Sequence, residues 1–160
     1  FFLLFPCARG IDAQERSLEQ IFNPLAPNGI TIGMLFADAD KQLLISGYAR
    51  LTPCLYMKRN NRESVNIVLS TNSSECKGAT VTHLNYQHTG IPVFNSPSAV
   101  VSHVRQKYGS DPQCSWVDER RARCSWSNPV NAPRVSSVSL TFEKISLPTL
   151  HLVLIATQTH

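Results

Sequence analysis

A tripeptide that occurs twice places the tightest limit on how this chain folds. Cys114-Ser115-Trp116 and Cys124-Ser125-Trp126 are separated by seven residues, and a charged, turn-like stretch lies at 118–121. A β-hairpin turning there would set the two cysteines opposite each other, with Cβ atoms about 4.5–5.5 Å apart, which a disulfide can close. The repeat therefore predicts a hairpin linked through Cys114 and Cys124.

The remaining cysteines extend this interpretation. Of five in the chain, Cys7 lies in the apolar N-terminal stretch, which leaves Cys54 and Cys76 to pair with each other if the hairpin forms. A zinc site would need a second ligand at short spacing from each cysteine, and the sequence offers none. Two disulfides are typical of an oxidising compartment, so we expect the protein to be periplasmic or secreted.

The N-terminal stretch 1–13 is predicted to be a signal-peptide remnant or the end of a membrane anchor. It begins with the apolar run Phe1–Phe5, and small residues follow at cleavage spacing, either Ala8 with Gly10 or Ile11 with Ala13. A first buried strand is the alternative, and the sequence leaves open whether these residues are cleaved.

Composition excludes several classes of protein. The chain is 42% hydrophobic and 16% charged, which is unlike a disordered chain, and no apolar run reaches the ~18 residues of a membrane span. The net charge is +4, with basic clusters at 58–62 and 120–123 that are typical of solvated loop tips. A nucleic-acid surface would be more basic and interleaved with aromatic residues, so no nucleic-acid partner is expected. Contact with an acidic partner or with anionic lipid, and hence membrane proximity, stays open.

Hydrophobic periodicity predicts a helix and then a hairpin in the first half. An apolar stripe at Leu18, Ile21, Phe22 and Leu25 has helical spacing and should end near Phe22 because Pro24 follows. Strands are predicted at 30–36 and 42–50, joined by a turn at 37–41. Alternating apolar residues predict further strands at 65–70 and 79–86.

In the second half, the sequence predicts a helix over 97–108, because Ser96 suits the N-cap, Pro97 suits the first helical position and Gly109 suits the end. The cysteine–tryptophan hairpin, a loop at 127–134 and a strand around 138–142 follow. The segment 147–157 combines helical spacing with strand-like alternation, and we favour a helix there.

These elements predict an α+β fold: small antiparallel sheets with two to three helices, stabilised by disulfides. After residues 1–13, the chain divides into an α+β module at 14–86 and a second at 87–160 that holds the disulfide hairpin. One continuous domain is the alternative.

No catalytic motif is present, so the chain is predicted not to be an enzyme and to hold no cofactor and no metal. His83 and His88 are the one close histidine pair, and five residues apart on a strand they point to opposite sides. A nuclease that uses either histidine with Lys77 is the catalytic alternative.

The hairpin supplies the candidate binding face. Trp116 and Trp126, together with Arg120, Arg121 and Arg123, would present aromatic and basic groups to a protein or carbohydrate partner. The competing interpretation is that both tryptophans simply pack on the disulfide.

Two segments resemble proteins of the machines that build type IV pili and run type II secretion. Residues 17–50, SLEQIFNPLAPNGITIGMLFADADKQLLISGYAR, are similar to the periplasmic domain of PilN-type assembly proteins, in which a helix leads into two strands. Residues 138–159, VSLTFEKISLPTLHLVLIATQT, resemble the strand-then-helix unit of secretin N-terminal domains. The positions that carry the two matches are Leu18, Ile21, Leu25, Pro27, Gly29, Ile30, Leu35, Leu43, Ile45, Gly47 and Ala49, and Leu140, Phe142, Ile145, Leu147, Leu150, Leu154 and Ala156. The resemblance implies ferredoxin-like or KH-like modules that pair with other subunits through a strand edge or a helix face.

The sequence therefore predicts a non-catalytic, exported scaffold or interaction subunit of a cell-envelope assembly. Its expected partners are other protein subunits, and self-association is a further expectation. Two alternatives stay open: a small secreted basic hydrolase or effector acting on RNA or polysaccharide, and a secreted binding module or adhesin.

Overall fold

Three helices and eight strands make up the part of the chain that the computed structural model describes, which is residues 17–71, 76, 79–90 and 96–157. A short 3-10 turn occupies Pro27–Gly29. The other elements are α1 Leu18–Ile21, α2 Phe36–Ile45, β1 Ala49–Thr52, β2 Leu55–Arg59, β3 Ser64–Thr71, β4 Val81–Thr89, α3 Pro97–Tyr108, β5 Gln113–Val117, β6 Arg121–Ser127, β7 Val135–Glu143 and β8 Thr149–Ala156.

The eight strands form one sheet in the order β1-β2-β3-β4-β8-β7-β6-β5, and every neighbouring pair is antiparallel. Strands β1–β4 make one meander and β5–β8 make another, and their last strands pair in the middle of the sheet. Helices precede each meander. The predicted α+β class with antiparallel strands and two to three helices is therefore confirmed.

The helices pack on one face of the sheet, which we call the inner face. Phe22, just after α1, stacks on Tyr86 of β4 with ring centroids 5.5 Å apart. In α3, the Tyr108 ring lies 5.7 Å from the ring of Trp126 in β6. Burying such large aromatic and aliphatic side chains is the main source of stability for this arrangement.

Helix α3 is confirmed with its predicted ends. The Ser96 hydroxyl accepts a hydrogen bond from the backbone N–H of Ala99 at 3.2 Å, and Pro97 is the first helical residue. Gly109 closes the helix at φ 68°, in the left-handed region that glycine adopts at low cost. Helix α1 is confirmed as well, with Ser17 and Gln20 forming a capping box.

The hairpin predicted at 30–50 is wrong, because helix α2 occupies Phe36–Ile45. Its buried residues, Phe36, Ala39 and Leu43, follow the i, i+3, i+7 spacing of a helix and face the sheet. The turn predicted at 37–41 lies within this helix, where Asp38 in the first turn is favourable to the helix dipole. Of the predicted strand at 30–36, a single bridge from Leu35 to Thr80 is formed.

The helix predicted at 147–157 is also wrong, since Thr149–Ala156 is strand β8. Leu150, Leu152 and Leu154 alternate onto the inner face and are buried. The strand lies between β4 and β7, so neighbours on both sides satisfy its backbone hydrogen bonds. The strands predicted at 65–70 and 79–86 are confirmed as β3 and β4.

Both disulfides are present, and so is the cysteine–tryptophan hairpin. Cys114 of β5 lies directly opposite Cys124 of β6, with Cα atoms 4.0 Å apart. Cys54, between β1 and β2, joins Cys76 with Cα atoms 6.1 Å apart. The hairpin turns where the sequence indicates, with the backbone N–H of Asp118 donating to the carbonyl of Arg121.

The predicted division into modules at 14–86 and 87–160 stays a prediction. Strand β4, at the end of the first module, pairs with β8 of the second over seven positions, so the two share one sheet. The predicted signal or anchor at 1–13, with Cys7, lies outside the described residues.

Candidate binding face of the sheet

The second face of the sheet, which we call the open face, carries mostly polar side chains, with a few apolar ones such as Leu55, Met57, Val68 and Val153. Within the described ranges no helix packs against it. Strand alternation produces it, because residues between the buried inner positions point to the other side. The cross-strand register places two rows of side chains across its middle: Asn66, Gln87, His151, Thr141, Arg123 and Trp116 in one row, and Val68, Asn85, Val153, Ser139, Ser125 and Gln113 in the next.

A β-bulge at Ser115 decides which tryptophan belongs to the open face. Along β6, Cys124 and Trp126 are two residues apart and both point inward. In β5 the register shifts between Cys114 and Trp116, so Trp116 lies opposite Arg123 and points outward. The repeated tripeptide therefore places its two tryptophans on opposite faces.

Trp126 is consequently a core residue and does not join the predicted face. It is 2% exposed, packs on Tyr108, and donates its indole N–H to the carbonyl of Ser110 at 3.0 Å. Trp126 thus packs in the core against Tyr108, and its predicted packing on the disulfide stays a prediction, whereas Trp116 is the tryptophan of the open face. Arg120 lies in the turn between β5 and β6.

Two guanidinium groups lie against the Trp116 ring. The guanidinium carbon is 4.4 Å from the ring centroid for Arg123 and 5.0 Å for Arg121, within the range of a cation–π contact. Arg121 also donates to the carboxylate of Asp118 at 3.2 Å. The backbone N–H groups of Arg120 and Arg121 donate to that carboxylate too, and these hydrogen bonds hold the pKa of Asp118 below its usual value.

The Trp116 indole nitrogen is buried and has no hydrogen-bond partner among the described residues. An indole N–H is a donor without acceptor capacity, as is a guanidinium group. Arg121 and Arg123 therefore present donors and positive charge at the surface, whereas the indole N–H of Trp116 is a donor covered from solvent. We call these three residues the Trp116 cluster.

The middle of the open face holds a histidine–amide pair that sequence reasoning missed. The His151 Nε2 atom lies 2.7 Å from the amide oxygen of Asn85 on the neighbouring strand. Partial burial lowers the pKa of His151 from its usual value, so the neutral ring, donating to Asn85, is favoured. Polar residues alternating along 81–89 were the signal that could have placed this face.

The histidines of the catalytic alternative are not brought together. His83 is on the open face and exposed, whereas His88 is 4% exposed on the inner face. The His88 ring bonds Glu63 at 2.8 Å and the Tyr86 hydroxyl at 3.1 Å. Burial raises the pKa of Tyr86, so its hydroxyl stays protonated and can donate to His88. Lys77 lies outside the described residues.

The sheet collects the two basic clusters of the sequence at one end. The turn after β2, with Arg59 and Arg62, and the turn before β6, with Arg120, both lie at the end where β4 finishes and β8 begins. Ile145 and Leu147, in the turn between β7 and β8, are 66% and 57% exposed there. Within the described ranges, no cluster of three or more His, Cys, Asp or Glu side chains could hold a metal ion.

Comparison with known proteins does not assign the chain to a family: no family model, no curated protein and no solved structure matches it. Among the helices in the described residues, none is long and apolar enough to cross a membrane. The two disulfides favour an oxidising, non-cytoplasmic compartment.

Proposed function

We propose that this chain is a non-catalytic binding domain, exported to the periplasm or beyond, that holds a protein partner on the open face of its sheet. The observation that carries the proposal is the face itself: side chains of six adjoining strands, most of them polar, with Trp116 and two arginines toward one edge. Tryptophan and arginine are enriched among residues that dominate binding energy at protein interfaces.

The composition of the open face supports a protein partner. Serine, threonine, asparagine and glutamine side chains adapt their hydrogen bonds to a partner, while a rigid aromatic ring supplies contact area at low entropic cost. Neutral residues such as Gln87, Ser139 and Ser125 are exposed in the middle rows. Such a surface is polar enough to stay in water when the partner is absent.

The partner that we propose is a subunit of a cell-envelope assembly, of the kind found in type IV pilus or type II secretion machines. This part depends on the resemblance of residues 17–50 and 138–159. In those segments α2 stands where the family pattern has a strand, and β8 stands where it has a helix. The resemblance therefore supports the proposal through the matching apolar positions and not through the secondary structure. The ferredoxin-like or KH-like description also stays a prediction, and the two meanders lend it no support.

A matched pair of serine substitutions tests the open face. Ser139→Trp places a bulky neutral group among the middle rows, and Ser102→Trp places the same group on an exposed position of α3, on the other side of the molecule. The full chain, produced in its native host, is cross-linked in intact cells, and the captured proteins are identified by mass spectrometry.

We expect Ser139→Trp to lose an envelope protein that the wild type and Ser102→Trp both capture, with all three chains equally folded by circular dichroism. Capture of the same proteins by all three chains would remove the open face from the proposal. Loss of capture in both variants would point to a partner bound elsewhere.

A further inference from the structure

We infer that the Trp116 cluster binds carboxylate side chains of an acidic segment in the protein partner. The inference rests on the proposed function and names the chemistry that one end of the open face would recognise. Three side chains that donate hydrogen bonds lie together on this surface. Among the described residues, the indole N–H of Trp116 has no acceptor.

Arg123 is the most available donor of the cluster. Its contact with the Trp116 ring holds the guanidinium over the face of the indole, and in the described ranges no carboxylate lies within ion-pairing distance of it. The residue opposite Arg123 on β7 is Thr141, which is neutral. A guanidinium offers two parallel N–H donors that match the two oxygens of a carboxylate.

The acidic residues near the cluster lie beside Arg121 and leave Arg123 without a carboxylate partner among the described residues. Asp118 pairs with Arg121 from the turn, and Glu143 lies opposite Arg121 on β7. Both acidic side chains therefore lie beside Arg121, which is two residues from Arg123 along β6. The indole N–H of Trp116 also lacks an acceptor, and a carboxylate oxygen could supply one after a local side-chain rearrangement.

An acidic protein segment fits this surface better than a nucleic acid does. Stacking of bases needs several aromatic rings along a basic groove. Across the two middle rows of the open face, Trp116 is the one tryptophan, tyrosine or phenylalanine, the His151 ring is bonded to Asn85, and Arg123 is the one arginine. A single aromatic residue flanked by arginines instead resembles the small energetic centre of a protein interface.

The two tryptophans of the chain provide a direct readout. Trp116 and Trp126 each give an indole N–H resonance, and the Trp126 group is fixed by its bond to Ser110 on the inner face. We would titrate the full, ¹⁵N-labelled chain with poly-L-glutamate and follow both resonances, with polygalacturonate and a single-stranded oligonucleotide as separate arms.

We expect poly-L-glutamate to shift the Trp116 resonance and to leave that of Trp126 in place. Arg123→Gln should weaken this binding by about tenfold or more, because a charge-assisted hydrogen bond is lost. Arg120→Gln removes the same charge from the adjacent turn and should have a much smaller effect. Equal weakening by both variants, or a shift of neither indole, would overturn the inference.

The other arms separate the sources of negative charge. A stronger response to the oligonucleotide or to polygalacturonate than to poly-L-glutamate would contradict a protein partner at this cluster. If Arg123→Gln still captures the envelope protein that Ser139→Trp loses, the inference fails while the proposed function stands. If Ser139→Trp loses nothing, the proposed function itself fails.

Discussion

The bridge between Cys114 and Cys124 closes the hairpin that carries Trp116, and we expect its reduction to lower the free energy of unfolding. A cross-link restricts the unfolded chain by an amount that grows with the logarithm of the loop length. The separation of 10 residues gives about 2.7 kcal/mol for this bridge. The separation of 22 residues gives about 3.4 kcal/mol for Cys54–Cys76.

Two single-bridge variants measure each contribution separately, both with Cys7→Ser to prevent exchange. Cys54→Ala with Cys76→Ala keeps the hairpin bridge, and Cys114→Ala with Cys124→Ala keeps the other. Urea unfolding of each variant, oxidised and then reduced, compares one sequence with itself, so that cavities left by the alanines cancel.

We expect reduction to destabilise the hairpin-bridge variant by about 2.7 kcal/mol and the other by slightly more. Reduction of the hairpin bridge should also move the indole resonance of Trp116, because β5 lies at the sheet edge and pairs with β6 alone among the strands. A loss of unfolding free energy below about 0.5 kcal/mol in either variant would refute the reasoning that this bridge stabilises the fold by restricting the unfolded chain.

Three further outcomes follow from local geometry. Gly47→Ala should lower the free energy of unfolding by about 1–2 kcal/mol, because its φ of 85° is unfavourable for a residue with a Cβ atom. Gly90→Ala, at φ 77°, should lower it clearly more, because the new Cβ would lie 2.2 Å from the carbonyl oxygen of Arg62. Equal melting temperatures of the two variants would contradict this. Because the folded state lowers the pKa of His151, the free energy of unfolding should have its full value above pH 6.5, the ordinary pKa of histidine, and should fall as the pH drops below it. His151→Gln should flatten that part of the dependence of unfolding free energy on pH. Tyr108→Phe should cost about 1–3 kcal/mol in urea unfolding, since the buried carbonyl of Pro24 loses the hydroxyl that bonds it at 2.7 Å; an unchanged midpoint would argue against that bond.

Several of these features could be predicted from the sequence, because the signal for each is local. Ser96, Pro97 and Gly109 define the ends of α3 through backbone geometry that needs no distant neighbour. The spacing of the repeated tripeptide places Cys114 opposite Cys124 within a single hairpin. Of the predicted arginines of the candidate face, Arg121 and Arg123 lie near Trp116 for the same reason.

Other features depend on contacts between residues far apart in the sequence. Residues 36–45 carry both a turn-like and a helical pattern, and the helix is formed where Phe36, Ala39 and Leu43 can be buried on the sheet. Residues 149–156 become a strand because β4 and β7 lie on either side to pair with them. Secondary-structure propensity depends on neighbouring residues in the sequence, so it carries no information about either of these contacts.

The sequence by itself determined the helix caps, the alternation of the strands and the cysteine pairing of the hairpin, since each depends on residues within a few positions of one another. The tertiary structure decided that α2 is a helix and β8 a strand, and that a single-residue bulge turns Trp116 outward while Trp126 stays in the core. One extra residue in a strand reverses the face of every side chain beyond it, so the candidate site depends on a register that pairing with β6 sets.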